Sequence, residues 1–143
     1  MEVIIYMGLF SILMSGAVVA SYQLIDSGSR NQTFVTAQEE GTFLNRKINW
    51  ALTGATAVTS GVGTLTITRP DLGAQSPLVI VANGSTMTLS RGGSAPVVLN
   101  AAAFVIGSPS FVVTPATGGR PTLVSVSFLV GKTPFTFNSY LRQ

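Results

Sequence analysis

The chain has 143 residues, of which 46% are hydrophobic and only 9% are charged. Soluble domains carry roughly 25% charged residues, so this composition predicts extensive burial in lipid or against partner subunits. Eight Lys and Arg against five Asp and Glu give a formal charge of +3, but the cations are scattered singly apart from Arg46-Lys47. This is not the charge pattern of a nucleic-acid-binding protein, and we predict no direct nucleic-acid binding.

The side chains on which most enzyme and metal sites depend are missing. The chain has no Cys and no His, which removes thiolate and imidazole ligands, general bases and nucleophiles. Glu39 and Glu40 are adjacent on a predicted helix and point to different sides, so they cannot act as a facing acid–base pair. Asp71 follows Pro70 in a predicted turn, where an aspartate commonly caps its own backbone. We therefore expect a protein that is not an enzyme and has no cofactor, metal site or catalytic residue.

An uncharged stretch runs from residue 3 to residue 25. As a helix, these roughly 23 residues would span about 34 Å at 1.5 Å per residue, enough to cross the hydrocarbon core of a membrane. We predict that residues 1–25 form the transmembrane half of an N-terminal helix. A cleaved secretory signal is the alternative: Val18-Val19-Ala20 offers a cleavage site, but the basic n-region is absent and the apolar run is long.

Small residues recur within this stretch at spacings of three and four, where they would let another helix approach closely. They are Ser11, Ser15, Gly16, Ala17 and Ala20. The alternative is that Gly and Ser are simply frequent in membrane helices. Glu2 stands at the start of the apolar run, and local physics alone makes it an interfacial acid favoured by the positive end of the helix dipole.

The helical pattern continues through residues 26–52, which we predict to be the amphipathic half of the same helix. Apolar and small residues with a 3-4-3-4-3 spacing form one face, namely Phe34, Ala37, Gly41, Leu44, Ile48 and Ala51. No proline precedes Pro70, so the two halves can form one continuous helix, and Gly54 marks its stop. The apolar face needs a surface to pack against.

Residues 53–143 change to a period of two and favour Thr, Val, Ser and Phe, which predicts a β-rich head. Strands are predicted at residues 63–69, 77–82, 85–91, 95–99, 110–114, 122–130 and 134–141. Residues 53–62 and 115–121, rich in Gly, Thr and Pro, are predicted loops.

The turns and one strand face complete the predicted fold. Asn83-Gly84 predicts a type I′ hairpin, and Gly92-Gly93 and Gly131-Lys132 predict further reversals. Apolar residues at 124, 126 and 128 alternate with other side chains and would form the face that packs on the helix. The predicted fold class is α+β, a long N-terminal helix packed on a C-terminal antiparallel sheet.

This order of parts resembles the type IV pilin and pseudopilin superfamily. The resemblance rests on Glu2-Val3-Ile4-Ile5-Tyr6 before the apolar helix, and on Gln38-Glu39-Glu40 leading into Phe43-Leu44-Asn45-Arg46-Lys47-Ile48. In the head, residues 87–91, 98–99 and 135–142 are similar to strands of minor subunits of the J-type pseudopilin, PilW-like and competence-pseudopilin groups. The resemblance implies a pilin-like fold and a structural minor subunit of a type IV pilus or a type II secretion-like filament.

The resemblance also implies a role for Glu2 and a set of partners. Glu2 would neutralise the N-terminal amine of a neighbouring subunit during filament assembly. The partners would be other pilin or pseudopilin subunits, membrane lipid and a prepilin peptidase that processes the chain before N-terminal methylation. The subunit would cross the bacterial cytoplasmic membrane once and later join an extracytoplasmic filament at the cell surface.

Two further expectations concern the N-terminus. The family's short basic leader is not in this sequence, so the resemblance implies either that Met1 is an internal methionine or that the chain begins after processing. The alternative from another functional class is a secreted β-sandwich binding or adhesin module whose N-terminus is only an export signal.

Overall fold

A computed structural model describes residues 2–141 and has an α+β architecture. Helix α1 runs from Glu2 to Leu52. The described residues then form eight strands: β1 (Ala57–Gly61), β2 (Thr64–Thr68), β3 (Leu78–Ala82), β4 (Met87–Arg91), β5 (Val97–Val98), β6 (Ile106–Thr114), β7 (Leu123–Val130) and β8 (Thr133–Tyr140). A short 3₁₀ helix, Pro70–Gln75, lies between β2 and β3. The predicted α+β class, with one long N-terminal helix followed by antiparallel strands, is confirmed.

The strands form two antiparallel sheets in which neighbours in the chain are also neighbours in space. One sheet has the order β1-β2-β3-β4-β5, and the other has the order β6-β7-β8. The predicted reversals lie where the sequence places them: Gly92 and Gly93 follow β4 with φ of +52° and +77°, and Gly131, with φ of +60°, lies between β7 and β8. Helix α1 ends just before Gly54, whose φ of +81° is the left-handed conformation that stops a helix.

The chain divides into two compact units between Thr36 and Ala37. In the second unit, the buried side of α1 shares one hydrophobic core with both sheets. Leu44 and Ile48 of α1 are fully buried in that core, together with Val124 and Val126 of β7. Strand β7 alternates between intermediate and buried residues along its whole length, as the period of two predicts.

At Gly41 the backbone of α1 lies close to a side chain of strand β8. A β-carbon at Gly41 would overlap the ring of Phe135 in β8. That ring is stacked on Phe128 of β7 with 5.7 Å between centroids and 18° between planes. Glycine at this position therefore lets the aromatic pair of the three-stranded sheet lie directly on the helix backbone.

Strands β1 and β6 differ from the sequence prediction. Strand β1 was predicted as a loop; it pairs with β2 but is almost entirely exposed, so it lacks the apolar alternation that identifies a strand. Strand β6 begins at Ile106 rather than at residue 110, because an irregularity between Gly107 and Ser110 accommodates Pro109 within the strand. Ser108 takes a φ of +45° there.

The hairpin between β3 and β4 is present, but its turn is not of type I′. That type needs positive φ at both central residues. Only Gly84 has a positive φ, +86°, and Asn83 precedes it as the first residue of the turn. The Asn83 side chain accepts a hydrogen bond from the backbone N–H of Thr86 at 3.2 Å, and the Asn83 N–H donates to the Thr86 carbonyl at 3.1 Å. The turn is therefore centred one residue later than predicted.

A buried asparagine joins the five-stranded sheet to the segment that leads into β6. Asn100 is largely buried, and its Oδ1 accepts a hydrogen bond from the backbone N–H of Met87 at 2.8 Å. Its Nδ2 donates to the carbonyl of Phe104 at 2.8 Å. Since buried amides are stable only when they are hydrogen-bonded, these bonds fix the segment before β6 against β4.

Candidate assembly surface

The first half of α1 is an exposed apolar surface. Every residue from 3 to 25 is exposed, and the most apolar 18-residue window has a mean hydropathy of 2.2 with none of it buried. Within the described residues, α1 is the one helix long and apolar enough to cross a membrane. The transmembrane helix predicted from the sequence therefore has the required length, composition and exposure.

The serine hydroxyls at positions 11 and 15 in this half are satisfied by the helix itself. The hydroxyl of Ser11 donates to the carbonyl of Met7 at 2.8 Å, and that of Ser15 donates to the carbonyl of Ser11 at 2.8 Å. In hydrocarbon there is no water to bind a polar group, so such a group must find its partner within the protein. Both hydroxyls meet this requirement within their own helix. The first ion pair along the helix, Asp26 with Arg30 at 2.9 Å, comes directly after the apolar run.

The small residues predicted to pack against other helices lie on two different sides of this half. Ser11 and Ser15 are one turn apart on one side, and Gly16 and Ala20 are one turn apart on another. All four are exposed, and a β-carbon added to Gly16 would meet no other atom. Both sides therefore leave room for the close approach of a second helix.

Glu2 lies in the first turn of α1, and its side chain is exposed. Apolar side chains follow it without interruption: Val3, Ile4 and Ile5 are all largely exposed. A carboxylate in this position would have to stay at the membrane surface or find a positive partner on another molecule.

The helix face predicted to pack on the sheet is buried from Ala37 onward. Ala37, Leu44, Ile48 and Ala51 are buried, and so is Gly41. Phe34 is different, because half of its surface is exposed. Phe34 precedes the boundary at Ala37 and stands outside the core, so the buried part of this face begins one turn after the first residue of the predicted face.

A groove of about 530 Å³ lies between this part of α1 and the edge of the five-stranded sheet. Phe43 and Lys47 line it from the helix, and Arg91, Val97 and Val98 line it from β4 and β5. The Lys47 ammonium lies 5.4 Å from the centre of the Phe43 ring. The groove is thus mainly apolar, with two cations at its border.

The junction between the end of α1 and β2 is held by a buried arginine that the sequence analysis did not single out. Arg69 is 8% exposed, and its Nη1 donates to the carbonyl of Trp50 at 2.8 Å. Its Nε donates to Asp71 Oδ1 at 3.1 Å, and its guanidinium lies 5.2 Å from the centre of the Trp50 ring. The Trp50 partner is 19 residues away in the chain, so no local pattern could have indicated it.

The contact between Arg69 and Asp71 changes the pKa of both groups. The hydrogen bond from Arg69 lowers the pKa of the Asp71 carboxyl below its usual value, and the same bond raises the pKa of Arg69. Asp71 therefore binds the Arg69 guanidinium, and the predicted capping of its own backbone is not its main contact.

The two adjacent glutamates have different environments. Glu39 is exposed, whereas Glu40 Oε1 accepts a hydrogen bond from the backbone N–H of Ala101 at 2.6 Å. Among the residues that the structure describes, no group of three or more acidic, Cys or His side chains could hold a metal ion.

Searches of protein-family models, curated proteins and solved structures find no match to this chain.

Proposed function

We propose that this protein is a minor pilin or pseudopilin, a structural subunit of a type IV pilus or of a type II secretion-like filament. One observation carries the proposal: a single helix is apolar and exposed over residues 3–25, and from Ala37 one side of it is buried against antiparallel sheets. The exposed half needs lipid or other helices around it, and the other half attaches it to a folded head.

The apolar half of the helix has a different surrounding before and after assembly. Before assembly, the apolar half anchors the subunit in the bacterial cytoplasmic membrane, and a prepilin peptidase processes it there. In the filament, the same surface packs against the helices of other subunits. Four small residues of this surface are exposed, namely Ser11, Ser15, Gly16 and Ala20. The two serine hydroxyls are hydrogen-bonded within the helix, so this surface is compatible both with lipid and with close packing against another helix.

Glu2 is the assembly residue in this proposal. Its carboxylate pairs with the N-terminal amine of a neighbouring subunit, as the resemblance to pilins implies. A lone charged side chain at the centre of a membrane costs about 2.5–3.5 kcal/mol on insertion scales. A positive partner on the next subunit would remove much of that cost and would fix the register between the two helices.

The test is the replacement of Glu2 by Gln or Ala in the native host. We expect the subunit to stay in the membrane with its head folded, and to disappear from filaments sheared off the cell surface, because the carboxylate that pairs with a neighbour is gone. The measurement is quantitative immunoblotting of membrane and sheared fractions.

Asp26→Asn is the matched control. Asp26 is also an acid on α1, but its ion pair with Arg30 is largely exposed and contributes little. This variant should assemble as the wild type does. Normal amounts of the Glu2→Gln and Glu2→Ala subunits in sheared filaments would count against the proposed assembly role.

A further inference from the structure

The groove between α1 and the edge of the five-stranded sheet has apolar side chains on two sides. Phe43 lines it from α1 and is 42% exposed, and Val97 and Val98 line it from β5 and are 63% and 55% exposed. Its volume of about 530 Å³ lies within the range of about 300–1,000 Å³ that is usual for ligand-binding pockets. Large apolar side chains that stay exposed around one groove are typical of a surface that binds a partner.

Two cations line the same groove and have no acidic partner. These are Lys47 and Arg91, and neither takes part in the ion pairs that the described residues form. Each cation lies near an aromatic ring instead: the Lys47 ammonium is 5.4 Å from the centre of the Phe43 ring, and the Arg91 guanidinium is 5.3 Å from the centre of the Trp50 ring. An aromatic ring attracts a cation without neutralising it, so both charges remain available to an anion.

The second unit has few acids that could provide this anion. From residue 37 onward the sequence has seven Lys and Arg but only three Asp and Glu. Two of the acids are already bound, because Glu40 accepts a hydrogen bond from the backbone of Ala101 and Asp71 binds Arg69. The third, Glu39, is flanked by polar residues of α1. The second unit of another copy therefore offers no acid with apolar neighbours, which favours a different protein as the occupant of the groove.

We propose that the groove binds a segment of a different protein in which an Asp or Glu stands between bulky apolar side chains. The carboxylate pairs with Lys47 and Arg91, and the flanking apolar side chains contact Phe43 and the two valines of β5. Acidic motifs are commonly bound by cations in this way, and the displacement of water from the groove strengthens the attraction between the charges.

Other anions fit the groove less well. A nucleic acid presents a row of phosphates, for which two cations are too few, and an inorganic anion would leave the apolar side chains uncovered. The contact belongs to the second unit alone, so it does not depend on the assembly role of Glu2.

Peptide binding to the full chain in a neutral detergent tests the chemistry of the ligand. The probe is the amidated peptide Leu-Val-Glu-Val-Leu with fluorescein at its N-terminus, and the measurement is fluorescence anisotropy. The control peptide Leu-Val-Gln-Val-Leu lacks the charge, and Ser-Ser-Glu-Ser-Ser lacks the apolar side chains. Each control should bind about tenfold more weakly than the probe. A probe that does not bind, or a control peptide that binds equally well, would overturn the proposal.

Variants of the two cations locate the site. Lys47→Gln and Arg91→Gln should each weaken binding of the probe by about tenfold, because each removes a charged hydrogen-bond donor to the carboxylate. Lys132→Gln is the matched control: Lys132 is exposed between β7 and β8 and does not line the groove, so the affinity should change by less than about twofold. Trp50 fluorescence verifies that each variant is folded. Equal weakening by all three changes would mean that net charge alone attracts the peptide, contrary to the proposal.

Competition separates the proposed occupant from the alternatives. A short DNA duplex represents a nucleic acid, and sodium octanoate, a carboxylate on an alkyl chain, represents a lipid. Neither should displace the labelled probe at the concentration at which the unlabelled peptide does so. Displacement by the duplex or by octanoate would contradict the assignment to a peptide segment. Self-association of the chain that Lys47→Gln abolishes would show that a second copy occupies the groove, and would overturn the assignment to a different protein.

Discussion

Arg69 shows how one buried side chain can join three parts of the second unit. Its guanidinium binds the carbonyl of Trp50 near the end of α1 and the carboxylate of Asp71 in the 3₁₀ helix, and its backbone N–H donates to Ser76 Oγ at 3.0 Å. The last carbonyls of a helix have no partner within the helix, and an arginine that directly follows β2 is well placed to satisfy one of them.

We expect Arg69→Met to lower the free energy of unfolding by about 1–3 kcal/mol, because the Trp50 carbonyl and the Asp71 carboxylate both lose their donor. The reporter is the fluorescence of Trp50, the single tryptophan of the chain, during urea unfolding of the full chain in detergent. Arg91→Met is the control. It removes the other guanidinium beside the same ring and should cost no more than about 1 kcal/mol.

The pH dependence gives this prediction a second measurement. The pKa of Asp71 is lower in the folded state than in the unfolded chain because Arg69 binds the carboxylate. The resulting stabilisation is fully present above the unfolded pKa of about 3.9 and is lost as the pH falls through the lower folded value. The wild type should lose this part of its stability in acid, and Arg69→Met should not. An unchanged acid profile in the variant would contradict the importance of the pair.

At the scale of elements, the contact between α1 and the three-stranded sheet depends on a missing side chain. The Phe135 ring occupies the space of a β-carbon at Gly41 and is held there by Phe128. Glycine is unfavourable in a helix, by about 1 kcal/mol relative to alanine. Its presence at this position is explained by the close approach of the aromatic ring.

We expect Gly41→Ala to destabilise the second unit by about 1–2 kcal/mol net, because crowding against Phe135 outweighs the gain in helix propensity. Trp50 fluorescence during urea unfolding gives the value. Gly41→Ala/Phe135→Leu makes room for the new methyl group and should be more stable than the sum of the single changes. A single Gly41→Ala variant that is more stable than the wild type would show that the ring moves aside freely.

The elements that the sequence predicts correctly are those with a strong period. Strand β7 alternates over its full length, and α1 has no proline and a regular apolar spacing, so both were predictable. Strand β1 has no buried face, and β6 contains Pro109 within an irregular register, so neither has a pattern that propensity can detect. The Arg69 contact with Trp50 depends on tertiary structure alone, and the half-exposed Phe34 shows that periodicity gives the phase of a face but not where its partner ends.

At the scale of the whole molecule, the boundary at Ala37 predicts which fragments are stable. Leu44, Ile48 and Ala51 are fully buried in the core of the second unit, so this part of α1 is needed to cover the sheets. The apolar residues 3–25 contribute none of that core. The sequence analysis divides the chain after residue 25, where the apolar run ends, and after residue 52, where the helix ends; the compact unit begins between these two positions, at Ala37.

We expect a fragment that starts at Asp26 to be soluble and monomeric and to unfold cooperatively. A fragment that starts at Thr53 lacks the helix and should aggregate, because it exposes the apolar side chains that Leu44 and Ile48 cover. Size-exclusion chromatography and thermal unfolding measure both. A monomeric, cooperatively folded fragment from Thr53 would favour the alternative of a secreted β-sandwich module whose N-terminus is an export signal.

The edges of the two sheets have a consequence for how copies of the protein meet. An open edge strand can add a strand from another chain and so start uncontrolled polymerisation. One edge strand of each sheet has a feature that hinders this: β5 of the five-stranded sheet is only two residues long, and β8 of the three-stranded sheet carries Pro134, which has no N–H to offer to an added strand. Backbone pairing between copies is thereby discouraged at these two edges, which leaves contacts between side chains as the easier route there.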